Sequence, residues 1–360
     1  MKVIVSAGGT GGHIYPALAI INKIKEEDKK AEIIYIGTHN RMEKDIVPKN
    51  EIKYIGIEIY GFSKTHLFRD IKNIFLIKKA QKKCVEIMKE FKPDIVIGVG
   101  GYVTYPVITA ASKLGIKTFI HEQNSIPGKC NMWLSKKVDL VGISFKNSKT
   151  HFEGAKKVVY TGNPCGDNAL KVPEITKSSL GLKENKRLIL IVAGSLGSST
   201  LNEKMKTFLK LVGDEDYQIL YITGKSYYED FINGTVFPKN VKVIPYLDNL
   251  AGLMKNCDLI ITRAGASTLS EILSLKKTSI IIPSPYVANN HQYYNALDLA
   301  NMKVATLIEE KNLNAETLQI SVNEIMNNKD KYDEYIKNLN DLNLEKSSDI
   351  IYKCIKDLIK

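Results

Sequence analysis

The sequence predicts an α/β protein of two doubly wound parallel sheets, and three observations predict it. Short β-branched runs alternate with helical stretches from end to end. Those runs are apolar throughout rather than at every second residue, the pattern of parallel strands covered on both faces by helices. Finally, 360 residues exceed what one hydrophobic core commonly holds.

In the first half the expected strands are KVIVSA, EIIYIG, DIVIGVG, KTFIHE, LVGIS and VVYTG. In the second half they are LILIVAG, QILYITG, VKVIPY, LIITRAG, SIIIPS and ATLIEE. The break falls in TGNPCGDNALKVPEITKSS, residues 161–179, rich in turn formers and poor in apolar periodicity. A first domain is therefore expected over 1–163 and a second over 164–340, both Rossmann-like and facing each other across a cleft. Residues 341–360 complete the chain as an amphipathic helix, because Ile350, Ile351, Cys354, Ile355 and Leu358 recur at helical spacing. In such folds ligands bind outside the carboxyl ends of the strands, so function is sought in the loops that follow them.

Apolar content of 44% and charged content of 25% are those of a soluble globular protein. The apolar runs fall short of the roughly 18–20 residues that span a bilayer. KVIVSAGGTGG lacks the apolar core and cleavage site of a signal peptide. Five scattered cysteines (Cys84, Cys130, Cys165, Cys257 and Cys354) show no CxxC spacing, so reduced thiols in the cytoplasm are expected. The charge is lopsided. Residues 1–163 hold 27 Lys and Arg against 15 Asp and Glu, so the whole excess of +12 belongs to the first half. That implies a polyanionic partner, nucleic acid or an anionic membrane surface, and no nucleic-acid-binding signature accompanies it.

The first strand runs into AGGTGGHIYPALAI, residues 7–20. A dinucleotide fingerprint wants G-x-G-x-x-G and an acidic residue closing the second strand. Gly9 and Gly11 fit, but the third position is Ile14, and EIIYIGT ends in Gly37 and Thr38. A nicotinamide oxidoreductase is disfavoured. His13, in the first helical turn, points to other chemistry. A helix N-terminus disfavours imidazolium, so a neutral ring able to accept a proton is expected. The backbone amides of Thr10, Gly11 and Gly12 would face an approaching phosphate or hydroxyl.

The second half carries two more loops of this kind. One holds Gly194, Ser195 and Gly197; the other, LIITRAGASTLSEIL, holds Arg263, Gly265, Ser267 and Thr268. Two neighbouring helix N-termini suit an anion. Glu271, one turn into the second helix, is the carboxylate missing from the first half and can chelate a ribose diol. The nucleotide is therefore expected in the second domain. Downstream, SPYVANNHQYYNA brings His291, Gln292 and Asn295 behind a strand end. The Gln292 amide offers the donor and acceptor that vicinal sugar hydroxyls need.

Taken in order, GGTGGHIYPALA, RMEKDIVP, GVGGYVTYP, HEQNSIPGKCN, TGNP, AGSLGSS, RAGASTLSEI and PSPYVANNHQYYNA resemble the MurG family of peptidoglycan glycosyltransferases across the whole chain. HEQN and RAGAST…E are the more specific of these. The resemblance implies a GT-B fold, a UDP-GlcNAc donor and lipid I, the undecaprenyl-pyrophosphoryl-MurNAc-pentapeptide, as acceptor. N-acetylglucosamine would pass to the MurNAc 4-hydroxyl, giving lipid II. The resemblance further implies donor contacts from Asn124, Ser195, Glu271 and Gln292. Backbone contacts would come from Thr10–Gly12, from Ala264, Gly265, Ala266, Ser267 and Thr268, and from Leu247, which would read uracil.

Three departures from the family pattern stand out. An arginine set toward the donor phosphates just after GNP is absent, the run being Cys165, Gly166 and Asp167. Leu196 stands where Gln or Arg is usual, and Tyr105 where a glycine is common. Either Arg263 or a loop lysine substitutes on the phosphate side, or donor affinity is weak.

An α-linked donor giving a β(1→4) product, which the resemblance implies, means inversion by one in-line displacement. That needs a base for the acceptor hydroxyl and stabilisation of the departing UDP. His13 suits the first task, and helix N-termini with backbone amides suit the second. Glu122 in HEQN is an alternative base or a partner orienting a neighbour, whereas His121 reads as structural. Tyr102 and Asn124 would line the cleft and position sugars. No D-x-D and no His/Asp cluster supplies a diphosphate metal, so transfer without metal or other cofactor is expected, with Mg²⁺ at most stimulatory. The competing readings are a sugar-nucleotide epimerase on the same twin-domain scaffold and a non-enzymatic, membrane-associated nucleotide-sugar sensor.

From Lys64 to Lys83 seven Lys and Arg stand against one acid, Asp70. Placed on a helix, this stretch and its continuation put Leu67, Phe68, Ile71, Ile74 and Phe75 on one face. Ile77, Cys84, Val85, Met88 and Phe91 fall on another, about 110° away. Either one helix has two apolar faces or the segment breaks into two helices. The later face reads as core. The earlier face, bordered by Lys72, Lys78, Lys79 and Lys82, has the composition of a membrane-surface contact. A lipid-linked acceptor gives it a use, and the expected location is peripheral, on the cytoplasmic face of the cell membrane.

Overall fold

The apolar runs become strands because each lies between two neighbours with helices above and below. Val3, Ile4 and Val5 are fully buried, as are Val96 and Ile97, and Ile189, Leu190 and Ile191. The computed structural model describes residues 1–360 apart from 62–66, 194–196 and 214, and apart from the side chains of 67–72. The chain forms two units, Met1–Cys165 with Glu345–Lys360, and Gly166–Leu344.

The first unit contains β1 (Lys2–Ser6), β2 (Glu32–Thr38), β3 (Lys53–Ile57), β4 (Ile95–Gly98), β5 (Lys117–Glu122), β6 (Leu140–Ile143) and β7 (Val158–Tyr160). They form a parallel sheet in the order β3-β2-β1-β4-β5-β6-β7, with Val3 in register with Ile33 on one side and Ile95 on the other. On one face Ile4, Ile36, Val96 and Ile120 meet Ala80, Cys84 and Met88 of the helix Leu67–Phe91. On the other, Val5, Tyr35, Ile97 and Phe119 meet Ile14, Ala17 and Ile21 of the helix Gly11–Glu27.

Two details differ from the sequence reading, and one alternative it left open is decided. β3 (KYIGI) is a further strand; it lies at the sheet edge with only Ile57 buried, so it carries no continuous apolar run. Leu67–Phe91 is one helix. Leu76, Ala80, Cys84 and Met88 form its buried stripe, and Ile77, Val85 and Phe91 are partly buried against the same core. The terminal helix runs Ser347–Ile359 and is no separate piece. Its Ile351 and Ile355 complete the core around Gly11–Glu27, and Asp349 pairs with Lys23 at 2.5 Å. Residues 341–344 belong to the second unit.

The second unit contains β8 (Arg187–Val192), β9 (Tyr217–Ile222), β10 (Val241–Ile244), β11 (Leu259–Thr262), β12 (Thr278–Ile281) and β13 (Ala305–Leu307), parallel in the order β10-β9-β8-β11-β12-β13. Ile189, Tyr221, Ile261 and Ile280 pack one face against Met205, Phe208 and Leu318; Leu190, Leu220 and Ile260 pack the other against Leu253 and Ile272. Strand order reverses between β1 and β4 in the first sheet and between β8 and β11 in the second. At such a point successive connections leave for opposite faces and open a crevice beyond the strand ends. Among the described residues, no helix is long and apolar enough to cross a membrane.

Candidate active site

The loops after β1 and β4 meet at the first reversal point through bare backbone. Gly8 N donates to Gly100 O at 3.2 Å, and a Cβ on Gly101 would fall 2.3 Å from Gly8 O. Gly100 and Gly101 adopt φ of +107° and +87°, where side chains are strained. A Cβ on Gly100 would also stand 2.5 Å from Cδ2 of His13, so the glycine makes room for the imidazole. Nδ1 of His13 lies 3.1 Å from Gly8 O and 3.4 Å from Thr10 Oγ1. A carbonyl only accepts, so this contact assigns the proton to Nδ1 and the basic lone pair to Nε2. Gly11 and Gly12 occupy the first turn of Gly11–Glu27, where amides have no intrahelical acceptor.

A residue that sequence reading passed over supports this loop. Glu43 is fully buried and accepts from Gly9 N (3.1 Å), Thr38 N (3.0 Å) and Thr38 Oγ1 (2.6 Å). A Cβ on Gly8 would fall 2.4 Å from its Oε1, so glycine backbone and carboxylate are in close contact. The signal lay in RMEKDIVP, but an acid between Met42 and Lys44 looks solvated until the fold turns it inward.

Glu122 ends β5, is buried, and has both oxygens engaged. Oε1 accepts from Asn124 N and Nδ2 at 3.0 and 3.3 Å; Oε2 accepts from Gly128 N and Asn131 Nδ2 at 3.1 and 2.9 Å. Both oxygens are thus held by Asn124, Gly128 and Asn131. His121 is fully buried, with Nε2 donating to Gly162 O at 2.9 Å and Nδ1 accepting from Gln123 Nε2 at 3.0 Å. Burial pushes its pKa down to about 4, so it stays neutral. Tyr102 lines an apolar cavity of the first unit, and its hydroxyl is buried without a partner.

In the second unit the helix Ala266–Ser274 starts directly after β11. Gly265 is its N-cap in extended conformation, with no side chain capping, so the first-turn amides of Ala266, Ser267 and Thr268 lack intrahelical acceptors and suit an anion. Asn295 Nδ2 donates to Ala264 O at 3.2 Å and fixes the turn. Glu271 is half-buried on this helix, and burial alone pushes its carboxyl up to about 7. No donor among the described residues offsets that burial. Gln292 Oε1 accepts from Ser284 N at 2.9 Å, which leaves its NH₂ group as the part with hydrogens to give. Leu247 packs its side chain on the core beside Leu250, in the turn after β10. Ser195 and Leu196 lie outside the described residues.

Arg263 corrects one expectation. Its buried guanidinium pairs with Glu310 at 2.5 Å and donates to Ile282 O and Ser198 Oγ at 3.3 and 2.9 Å. A guanidinium removed from water demands a carboxylate, and Glu310 supplies it inside the unit. The side chain is a strut between the Ala264 turn and Ser198, the N-cap of Ser199–Leu211, and is not offered to a phosphate. Among the described residues no three His, Cys, Asp or Glu side chains come together as a metal site would need.

Residues 3–143 match the glycosyltransferase family 28 N-terminal domain and residues 188–353 the family 28 C-terminal domain. A protein of Bacillus licheniformis, UDP-N-acetylglucosamine–N-acetylmuramyl-(pentapeptide) pyrophosphoryl-undecaprenol N-acetylglucosamine transferase, is 41% identical over 99% of each chain. Its namesake in Halalkalibacterium halodurans is 40% identical over the full length of both. The crystal structure of Acinetobacter baumannii MurG superimposes with a TM-score of 0.79 at 28% identity, over 99% of each chain.

The chain belongs to the MurG family of glycosyltransferases. The UDP-GlcNAc 2-epimerase of Neisseria meningitidis shares the fold at a TM-score of 0.67, but at 16% identity the likeness is one of fold alone.

Within the MurG family the absent arginine after GNP now has a local reason. A Cβ on Gly166 would fall 2.3 Å from Ser274 Oγ and 2.8 Å from Ser270 O, so the helix bearing Glu271 lies directly against this backbone. Cys165 and Asp167 on either side are buried too. A side chain at Gly166 has no room unless that helix moves. Tyr105 lines the same cavity as Tyr102.

Proposed function

We propose that the protein transfers N-acetylglucosamine from UDP-GlcNAc to the 4-hydroxyl of the MurNAc residue of lipid I, with inversion, giving lipid II. The observation that carries this reading is the 41% identity to a transferase of that name over 99% of both chains. The local geometry supports the assignment of roles. His13 acts as the general base through Nε2, since the Gly8 carbonyl keeps the proton on Nδ1. The amides at the start of Ala266–Ser274 stabilise charge on the donor diphosphate, and those of Thr10, Gly11 and Gly12 meet an approaching phosphate or hydroxyl. Glu271 chelates the ribose hydroxyls, Gln292 donates to the donor sugar, and the backbone at Leu247 reads the base. Glu122 holds Asn124 in place for the sugar.

The reading routes no step through a metal; Mg²⁺ is at most stimulatory. The basic first half and the exposed Ile74 and Phe75, beside exposed Lys78, Lys79 and Lys82, support peripheral attachment to the anionic cytoplasmic face of the membrane. Leu67, Phe68, Ile71 and Lys72 lie outside the described side chains.

Transfer of labelled N-acetylglucosamine to a lipid I analogue tests the reading, with UDP-GlcNAc alone as control. Label in the lipid fraction is the expected result. A 2-epimer formed without acceptor would point to the epimerase, and binding with no turnover to the sensor.

A further inference from the structure

Four neighbouring strand ends of the second unit are tied together by one buried polar brace, and Glu310 stands at its far end. Strands β8 and β11 pair side by side with Val192 in register with Thr262, so the loops that follow them start together. Arg263 is the first residue after β11. Its guanidinium donates to Ser198 Oγ beyond β8 and to Ile282 O just past β12, and it pairs with Glu310, three residues beyond β13. Lys204 of the helix Ser199–Leu211 closes the ring, its ammonium donating to Glu310 O at 2.6 Å and to Leu313 O at 2.8 Å. The side chains of Arg263 and Glu310 are only 8% and 6% exposed. A guanidinium buried that deeply keeps its place only while a carboxylate faces it. Ser198 is also the N-cap of Ser199–Leu211, its Oγ accepting from Leu201 N at 3.4 Å. The helix Ala266–Ser274 begins three residues after Arg263 and has no side-chain cap of its own. Two helix starts thus share one brace. Amides stabilise an anion best where their positions are set before it arrives.

We propose that Glu310 is a positioning residue for the donor diphosphate: through Arg263 it holds the starts of Ser199–Leu211 and Ala266–Ser274 at a fixed separation, without itself touching the ligand. The assignment rests on the diphosphate role proposed above for the start of Ala266–Ser274 and adds what keeps that start in place.

Calorimetric binding of uridine, UMP and UDP to the full-length protein, with steady-state kinetics, tests this. Glu310→Gln removes the charge that faces Arg263. Arg263→Met combined with Glu310→Leu removes both charges, so that neither is left buried alone. In each variant UDP should bind about tenfold or more weakly while uridine binds as in the parent. KM for UDP-GlcNAc should rise by more than kcat falls. Ser198→Ala, which leaves the ion pair whole and unties one helix start, should show a smaller loss of the same kind. A purely structural role would lower the unfolding midpoint and leave the preference for UDP over uridine intact; that result in the double variant or in Ser198→Ala overturns the proposal. Equal losses for uridine and UDP overturn it as well. So does tighter UDP binding by Glu310→Gln, which would mean that Glu310 withholds Arg263 from the phosphates. A parent protein that binds uridine as tightly as UDP overturns the diphosphate role of the helix starts themselves, a failure distinct from that of Glu310.

Discussion

Nδ1 of His13 and the carbonyl oxygen of Gly8 are 3.1 Å apart, and that contact decides which nitrogen of the ring is basic. Gly8 can approach because its own Cα abuts Glu43 and because Gly100 leaves the ring its space. His13→Ala should lower kcat by about 10² to 10⁴ while UDP affinity stays nearly constant, as for a group acting in proton transfer. Steady-state kinetics with calorimetry of UDP binding checks this. Normal turnover in the variant would remove His13 from the chemistry.

Gly100→Ala tests the same relationship from the other side. The added methyl meets the imidazole at 2.5 Å and imposes strain at φ +107°. Turnover should fall by about tenfold or more, with UDP binding in the second unit unaffected.

Glu43 supports the loop from beneath, through Gly9 N and Thr38. In Glu43→Gln one acceptor oxygen becomes an NH₂ that faces a donor, Gly9 N or the Thr38 pair. A loss of about 1–3 kcal/mol in stability is expected, as for buried groups left unpaired. The fall in kcat should exceed any change in KM for UDP-GlcNAc. Denaturant unfolding and kinetics measure the two effects, and a variant indistinguishable in both leaves Glu43 without a positioning role.

Glu271 gives a prediction with a sign. Its folded-state pKa of about 7 lies above the ordinary value of 4.5, because burial disfavours the charged carboxylate. Its contribution to stability is therefore fully present below about pH 4.5 and is lost as pH rises to about 7. A ribose diol donates to the charged form, so UDP affinity should rise with pH through the same neutral range. Glu271→Ala should lose about 1.5–3 kcal/mol of UDP affinity. Glu271→Gln should flatten the part of the pH dependence that UDP's own phosphate titration does not explain. Calorimetry at several pH values checks both, and an unaltered profile in Glu271→Gln would falsify the assignment.

Gly166→Arg shows whether the family arginine can simply be restored. With Ser270 O and Ser274 Oγ within 2.8 Å of any Cβ, the side chain has no room. The midpoint of thermal unfolding should drop, by an amount typical of overpacking at about 1–3 kcal/mol, with no gain in UDP affinity. A stable variant that binds UDP more tightly would contradict the packing argument.

The sequence by itself determined the two parallel sheets, because continuous apolar runs such as VIV at 3–5 and ILIV at 189–192 can be satisfied only with cover on both faces. It also determined where the glycine loops fall, since glycines after a strand and before a helix are local chemistry. It did not reveal β3, whose half-exposed edge position leaves no apolar run to detect. Only tertiary structure decided what the charged groups do. Arg263 looked like a phosphate ligand until Glu310, 47 positions away, proved to neutralise it. Glu122 read equally as a base or as a partner orienting a neighbour, and only the packed chain shows Asn124, Gly128 and Asn131 donating to both its oxygens. Glu43 drew no reading from the sequence, and the fold sets it beneath Gly9. The physical reason is common to all three. Backbone conformation follows from neighbours in sequence, whereas the state of a carboxylate or guanidinium follows from burial and partners that only the packed chain brings together.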